Sequence, residues 1–281
     1  MFRAILSIPV LGIVLVHAAV AQDAMPPASL HQPLSIPENY RGAEISLKAW
    51  LRMPARSEPA GAVILLHGCN GIDRAGWRHS EDWSHWLNEN GYAGLFIDSL
   101  TPRGLSNVCK DGEAVPGELR AADLYTAADY VSRLPHLRGK KIGAIGFSHG
   151  GWGVLEADAK TAPGIADLRA RLEAGGVDVA AFVGMYPGCR RFVAASFYTP
   201  LLVLIGDKDD WTSAKNCQRL MAYQRAANEP ELRVKVYPDA THSFDVNAPE
   251  RNYLGHLLRY DPAAATDARA EIRDFLARWL R

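Results

Sequence analysis

The chain has no surplus of either charge. Lysine and arginine total 31, and aspartate and glutamate total 31, in 281 residues. A nucleic-acid-binding surface or an acidic solvating tail would skew that balance, so neither is expected. Metal-binding patterns are also missing: no C-x-x-C and no H-E-x-x-H occurs, and the nine histidines are scattered, so no metal and no cofactor is expected. There is no internal repeat and no interior linker, so a single domain is the simplest organisation for this length.

Long apolar runs are nearly absent too. The exception is at the start, where Met1-Phe2-Arg3 gives a positive beginning and Ala4 to Val16 is apolar apart from Ser7, Pro9 and Gly12. Ala19-Val20-Ala21 then fits a small-x-small cleavage site. The run is shorter than the roughly 20 apolar residues that span a bilayer. It therefore reads as a secretory signal peptide over 1–21, cut after Ala21, leaving an exported, periplasmic or secreted protein with no membrane attachment. No cysteine follows the cut, so no lipid anchor is expected there.

Cysteine is sparse, at four residues: Cys69, Cys109, Cys189 and Cys217. An even number in a chain bound for an oxidising compartment predicts disulfides. Four cysteines allow three pairings. Cys69–Cys109 and Cys189–Cys217 are favoured because each joins loops expected at one edge of the sheet after neighbouring strands. A metal site is the weaker rival.

What is present centres on Lys141 to Gly151, KIGAIGFSHGG. A short apolar run, Ile142 to Phe147, enters Gly146-Phe147-Ser148-His149-Gly150, and an Ala/Leu/Glu stretch of helical character follows. A G-x-S-x-G between strand and helix is the nucleophile elbow of an α/β-hydrolase. The serine sits in a sharp turn, and glycines two before and two after let strand and helix approach. Alone, the pattern also describes an ordinary Gly-rich turn.

The surroundings alternate in type. Gln22 to Glu38 carries four prolines and reads as part of an extended lead-in over 22–43. The domain is expected over 44–281, with an outer strand at Ile45–Leu51. Ala62–Leu66, Tyr92–Ile97, Val179–Tyr186, Leu201–Ile205 and Leu232–Tyr237 read as strands. Leu119–Leu134, Ser213–Ala227 and Ala263–Leu280 read as helices. Trp77, Trp83 and Trp86 recur near a helical period and read as core or cleft wall. A long loop from Asp98 to Gly117 is expected to be functional, and a polar, Ala-rich excursion from Thr161 to Gly176 is a candidate lid. The alternation predicts a doubly wound, mostly parallel sheet of the α/β-hydrolase type.

A serine hydroxyl becomes a nucleophile when a base takes its proton and an acid orients that base. The required order, Ser then Asp then His, is available. After strand Leu201–Ile205 come Asp207, Asp209 and Asp210. The G-x-x-D arrangement counted from Gly206 selects Asp209, with Asp210 and Asp207 left as solvated or capping alternatives. His242, on the loop after Leu232–Tyr237 with Phe244 two residues on, is the candidate base. His67 and His149 read as packing residues. The tetrahedral oxyanion needs backbone donors; those expected are the N–H of His149, next after the nucleophile, and that of Cys69.

With these residues assembled, the chain resembles the dienelactone hydrolase family, in particular its exported bacterial members. The resemblance runs from about Gly61 to the closing helix. It rests on LLHGCNG (Leu65 to Gly71), GYAGLFIDSLTPRG (Gly91 to Gly104), IGFSHGG (Ile145 to Gly151), YPGC (Tyr186 to Cys189), LIGDKDDWTSAKNC (Leu204 to Cys217) and THSFD (Thr241 to Asp245). It implies hydrolysis of a small-molecule ester or lactone through an acyl-enzyme. The family's namesake enzymes use cysteine as nucleophile where this chain has Ser148, which points to a wider ester, thioester or lactone range. Arg103 and Tyr186 become candidate substrate contacts, with Arg103 equally suited to bracing its own loop. Other readings are a peptidase, a polysaccharide esterase, or a non-catalytic binding protein on the same scaffold.

Overall fold

A computed structural model describes residues 31–281 apart from 43, 56–57 and 224–228. The expected leader over 1–21 lies outside the described residues. Among those described, ten strands and six helices follow one another as β1 (Gln32–Glu38), β2 (Ile45–Arg52), β3 (Ala62–Leu66), α1 (Arg74–Glu89), β4 (Ala93–Asp98), α2 (Gly117–Ser132), β5 (Ile142–Phe147), α3 (His149–Asp158), α4 (Pro163–Ala174), β6 (Val179–Met185), β7 (Leu201–Gly206), α5 (Ala214–Tyr223), β8 (Leu232–Tyr237), β9 (Arg251–Tyr253), β10 (His256–Leu258) and α6 (Pro262–Leu280).

Eight strands form one sheet in the order β1-β2-β4-β3-β5-β6-β7-β8. From β4 to β8 every pair is parallel, and β1 and β2 close one edge antiparallel. The central strands β3, β4, β5 and β7 are buried along their whole length. That is why they read as continuous apolar runs: helices cover both faces, and no position faces water. α1 and α6 pack on one face, joined where Arg269 lies over the Trp83 ring and pairs with Asp82. α2 and α3 pack together and reach the sheet at β3, β5 and β6.

α1 starts where the Asp73 carboxylate accepts the Gly76 N–H at 2.7 Å, satisfying an otherwise unpaired first-turn donor. Trp77, Trp83 and Leu87 lie on its buried face. Each such side chain contributes about 1.5–3 kcal/mol by leaving water.

The structure corrects three expectations. The stretch read as a lead-in contains β1, which pairs with β2 along its whole length. Among the described residues the sheet therefore begins at Gln32, and β2 is not its outer strand. Pro33 and Pro37 hid the strand, yet an edge strand tolerates residues that cannot donate to a ladder. Thr161–Gly176 is not placed as a lid: it holds α4, which packs on α2 and α3. Arg169 anchors it to the buried Asp158 at 3.0 Å. Finally, Arg251–Leu258, where no strand was expected, is the β9–β10 hairpin. Its three-residue strands are too short to show a period.

The disulfides are Cys69–Cys109 and Cys189–Cys217, as favoured from the sequence. The second closes a separation of 28 residues. Restriction of the unfolded chain by a loop of that size is worth roughly 3–4 kcal/mol. Replacing both Cys189 and Cys217 with Ala is expected to lower the unfolding free energy by about that amount in urea titration; an unchanged midpoint would contradict this.

Candidate active site

The site is built where β3 and β5 end side by side. Their register pairs Leu66 with Gly146, so the loop after β3 and the turn after β5 emerge together. α3 starts so close to this edge that a Cβ on Gly150 would stand 2.2 Å from the Leu66 carbonyl oxygen, and one on Gly146 would stand 2.2 Å from that of Gly150. Only glycine fits at either position. Between them Ser148 takes φ 52° and ψ −111°, a conformation disfavoured for any residue with a side chain. The surrounding packing holds it there: its N–H bonds to the Met185 carbonyl at 2.9 Å, and its own carbonyl accepts from Trp152 at 3.0 Å.

The loops after β7 and β8 bring the other two candidates. They are tied by backbone bonds from Asp207 N–H to Tyr237 (3.0 Å) and from Lys208 N–H to Ala240 (3.1 Å). His242 Nε2 lies 2.8 Å from Ser148 Oγ, and His242 Nδ1 lies 2.8 Å from Asp209 Oδ2. Asp209 accepts further bonds from the N–H groups of Trp211 (3.0 Å) and Thr212 (2.7 Å), and the Thr212 hydroxyl stands 2.8 Å away. The two neighbours are placed differently. Asp210 is exposed and faces His256 at 3.2 Å, and Asp207 accepts the Asp239 N–H at 2.7 Å.

Rings enclose His242. Tyr186 meets it edge-on at 4.8 Å, and Trp211 leans over it at 5.2 Å. Tyr186, a sequence candidate, lines the cleft, and its hydroxyl donates to Asp245 Oδ1 at 2.7 Å. Burial first, then the Asp245 charge, raises its phenol well above the ordinary value. Tyr186 (φ 40°) and Ser243 (φ 58°) have left-handed backbones. Together with Ser148 they concentrate strain at the cleft, at roughly 1–3 kcal/mol each.

Cys69 and His149 flank Ser148. The loop carrying Cys69 passes so near that a Cβ on Gly68 would stand 3.8 Å from Ser148 Cβ. It is held from outside by the Cys69–Cys109 bridge and by the Val108 N–H, which donates to the Cys69 carbonyl at 2.8 Å. Inside stands Arg120, which sequence reasoning missed because it sits among the alanines of α2. It is fully buried and donates to the His67 carbonyl at 2.7 Å, and its other terminal nitrogen lies 3.4 Å from His149 Nδ1. Burial pushes the guanidinium down to about 10. Burial, then the Arg120 charge, holds His149 down to about 4 and keeps His67 well below the ordinary imidazole value. Both are neutral packing residues.

Arg103 does not reach the cleft. Its guanidinium grips Asp123 through two bonds of 2.7 and 2.9 Å and donates to the Ser99 carbonyl at 2.8 Å. Bracing the long Asp98–Gly117 loop engages both terminal nitrogens, with Glu38 as a further partner at 3.4 Å, so the substrate-contact reading is withdrawn. Missed from sequence are Trp211, which belongs to no periodic element, the hairpin residues Tyr253 and Leu258, and His79. All four line the cleft. No metal-ligating cluster occurs among the described residues, and no helix among them is long and apolar enough to cross a membrane.

An eight-stranded, mostly parallel sheet with a serine on a strained strand-to-helix turn defines an α/β-hydrolase. The profile described as "Dienelactone hydrolase family" matches residues 47–280, and the chain belongs to that family of hydrolases. A dienelactone hydrolase structure from Anabaena variabilis is 23% identical, covering 89% of this chain and 100% of its own, with a TM-score of 0.59. An esterase from Pyrococcus furiosus is 16% identical, covering 90% and 95%, with a TM-score of 0.62. A serine hydrolase without lid from Xanthomonas campestris is 17% identical, covering 91% and 97%, with a TM-score of 0.59. At such identities the likeness is one of fold. No curated protein matches the sequence.

The buried His149 carries a pH signature. Its folded pKa is about 4, below the ordinary value of about 6.5. Its stabilising contribution is therefore full above about pH 6.5 and is lost as the pH falls toward 4. Replacing His149 with Gln is expected to shrink the stability difference between pH 7 and pH 5, read by urea unfolding, by about 2 kcal/mol. An identical difference in both proteins would contradict the buried, neutral assignment.

Proposed function

We propose that the protein is a serine hydrolase of small-molecule carboxylic esters or lactones, working through an acyl-enzyme. The observation that carries this reading is the pair of 2.8 Å contacts linking Ser148 Oγ to His242 and His242 to Asp209. Ser148 attacks the ester carbonyl while His242 Nε2 takes its proton, and Asp209 fixes the tautomer and stabilises the imidazolium. The backbone N–H groups of His149 and Cys69 receive the oxyanion. His242 then hands the proton to the departing alkoxide. Water attacks the acyl carbonyl while His242 takes its proton, and His242 returns that proton to Ser148 Oγ as the acid leaves.

The protein acts outside the cytoplasm, after removal of a leader at Ala21. Two disulfides among the described residues are compatible with that setting. The preorganisation of the oxyanion loop by the Cys69–Cys109 bridge ties export to catalysis.

Steady-state hydrolysis of p-nitrophenyl butyrate tests the assignment. Ser148→Ala is expected to lower kcat by roughly 10⁶-fold and Asp209→Asn by roughly 10⁴-fold. Asp210→Asn, at an exposed contact with His256, is expected to change it by no more than a few fold. Retention of full rate by Ser148→Ala, or a larger loss from Asp210→Asn than from Asp209→Asn, would overturn these roles.

A further inference from the structure

The cleft contains a second histidine–carboxylate pair that the proposed chemistry does not use. His79, on α1, places Nε2 2.8 Å from Oδ2 of Asp245, which follows His242 by three residues. The Asp245 side chain is sealed from solvent and also receives the Trp83 indole N–H at 2.9 Å and the Tyr186 hydroxyl at 2.7 Å. Burial pushes its carboxyl up, but the attraction of His79 and the three hydrogen bonds outweigh that and hold it below the ordinary carboxylate value. A carboxylate offers acceptors only, so it fixes a proton on His79 Nε2 and leaves Nδ1 as the ring nitrogen not engaged with Asp245.

Nδ1 has no protein partner among the described residues, and it is not among their buried, unpartnered side-chain atoms. His79 lines the same cleft as Ser148 and His242, standing edge-on to Phe147 at 4.5 Å, one residue before the nucleophile. A purely structural tie to Asp245 would not need histidine, because Trp83 and Tyr186 already donate to both carboxylate oxygens. The imidazole adds a second ring nitrogen, oriented by a buried, hydrogen-bonded partner.

Two spaces meet at Ser148. The one with His79, Phe147 and Tyr186 holds about 190 Å³, and a wider one of about 570 Å³ lies toward Trp152 and Arg190. In an acyl-enzyme the acyl group stays on Ser148 through both half-reactions, beside the space that His79 and His242 both line.

We propose that His79 Nδ1 forms a hydrogen bond with a hydroxyl on the acyl part of the substrate, so that the cleft prefers esters and lactones of hydroxy acids to their unsubstituted counterparts. This rests on the serine-hydrolase reading above. His79 is then a specificity-determining residue, held in place by Asp245.

The test compares kcat/KM for p-nitrophenyl 3-hydroxybutyrate, as each enantiomer, with that for p-nitrophenyl butyrate, using the ratio within each protein so that lower folding yield cancels. The unmodified protein is expected to favour one hydroxy enantiomer by roughly three- to tenfold, the size of one neutral hydrogen bond. His79→Gln puts an amide where Nε2 bonds Asp245 but nothing at Nδ1, and it is expected to bring the ratio to about one. His79→Asn presents a polar group at the Nδ1 position and is expected to keep most of the preference. A ratio unchanged in His79→Gln, or one that survives there and is lost in His79→Asn, would reduce His79 to a structural tie. Equal hydrolysis of the esters by the unmodified protein would overturn the inference while leaving the hydrolase reading intact. No Ser148-dependent hydrolysis of either ester would overturn both.

Discussion

The site depends on the closeness of β3, β5 and the start of α3. Gly150 lies against the Leu66 carbonyl, where a Cβ would stand only 2.2 Å away, and that approach leaves Ser148 in a backbone conformation it would not choose alone. The cost is of the order of 1–3 kcal/mol. Burial of the central strands, at about 25 cal/mol per Å² of apolar area, supplies far more than this locally. The consequence is chemical. The serine hydroxyl projects past the sheet edge toward a histidine carried by strands on the other side, and the turn cannot relax away from it.

The rest of the cleft continues this logic. Asp209 accepts the N–H groups of Trp211 and Thr212 as well as facing His242, so its carboxylate is held in one orientation. Arg120, buried under the elbow, ties the carbonyl of His67 and the ring of His149 to α2. The Cys69–Cys109 bridge restrains the same loop from its outer side. In the proposed reaction, neutral His67 and His149 add no charge that would compete with His242 for the Ser148 proton.

Much of this was legible in the sequence where a physical constraint left a local trace. Continuous apolar runs marked the strands buried on both faces, and paired glycines marked the elbow. The order of Ser148, Asp209 and His242 follows from successive strand ends, and the disulfide pairings are the ones that loop adjacency favoured among three. Features fixed by tertiary contact left no such trace. β1 was masked by Pro33 and Pro37, which an edge strand accepts. Arg103 carries the same sequence whether it meets a substrate or Asp123, and only its bidentate contact with Asp123 decides. α4 looked like a lid because its surface is polar, yet Arg169 pins it to Asp158, away from the cleft. Arg120 and the His79–Asp245 pair are long-range partnerships between residues whose neighbours in sequence give no hint of them.

The central claim is that Ser148 is an activated nucleophile, and covalent labelling tests it most directly. Intact-mass measurement of the non-reduced protein after treatment with a fluorophosphonate is expected to give a single stoichiometric adduct, mapped to Ser148 and absent from Ser148→Ala. No adduct on the folded, disulfide-bonded protein, or equal labelling of Ser148→Ala, would contradict the account and favour a non-catalytic binding protein on the same scaffold.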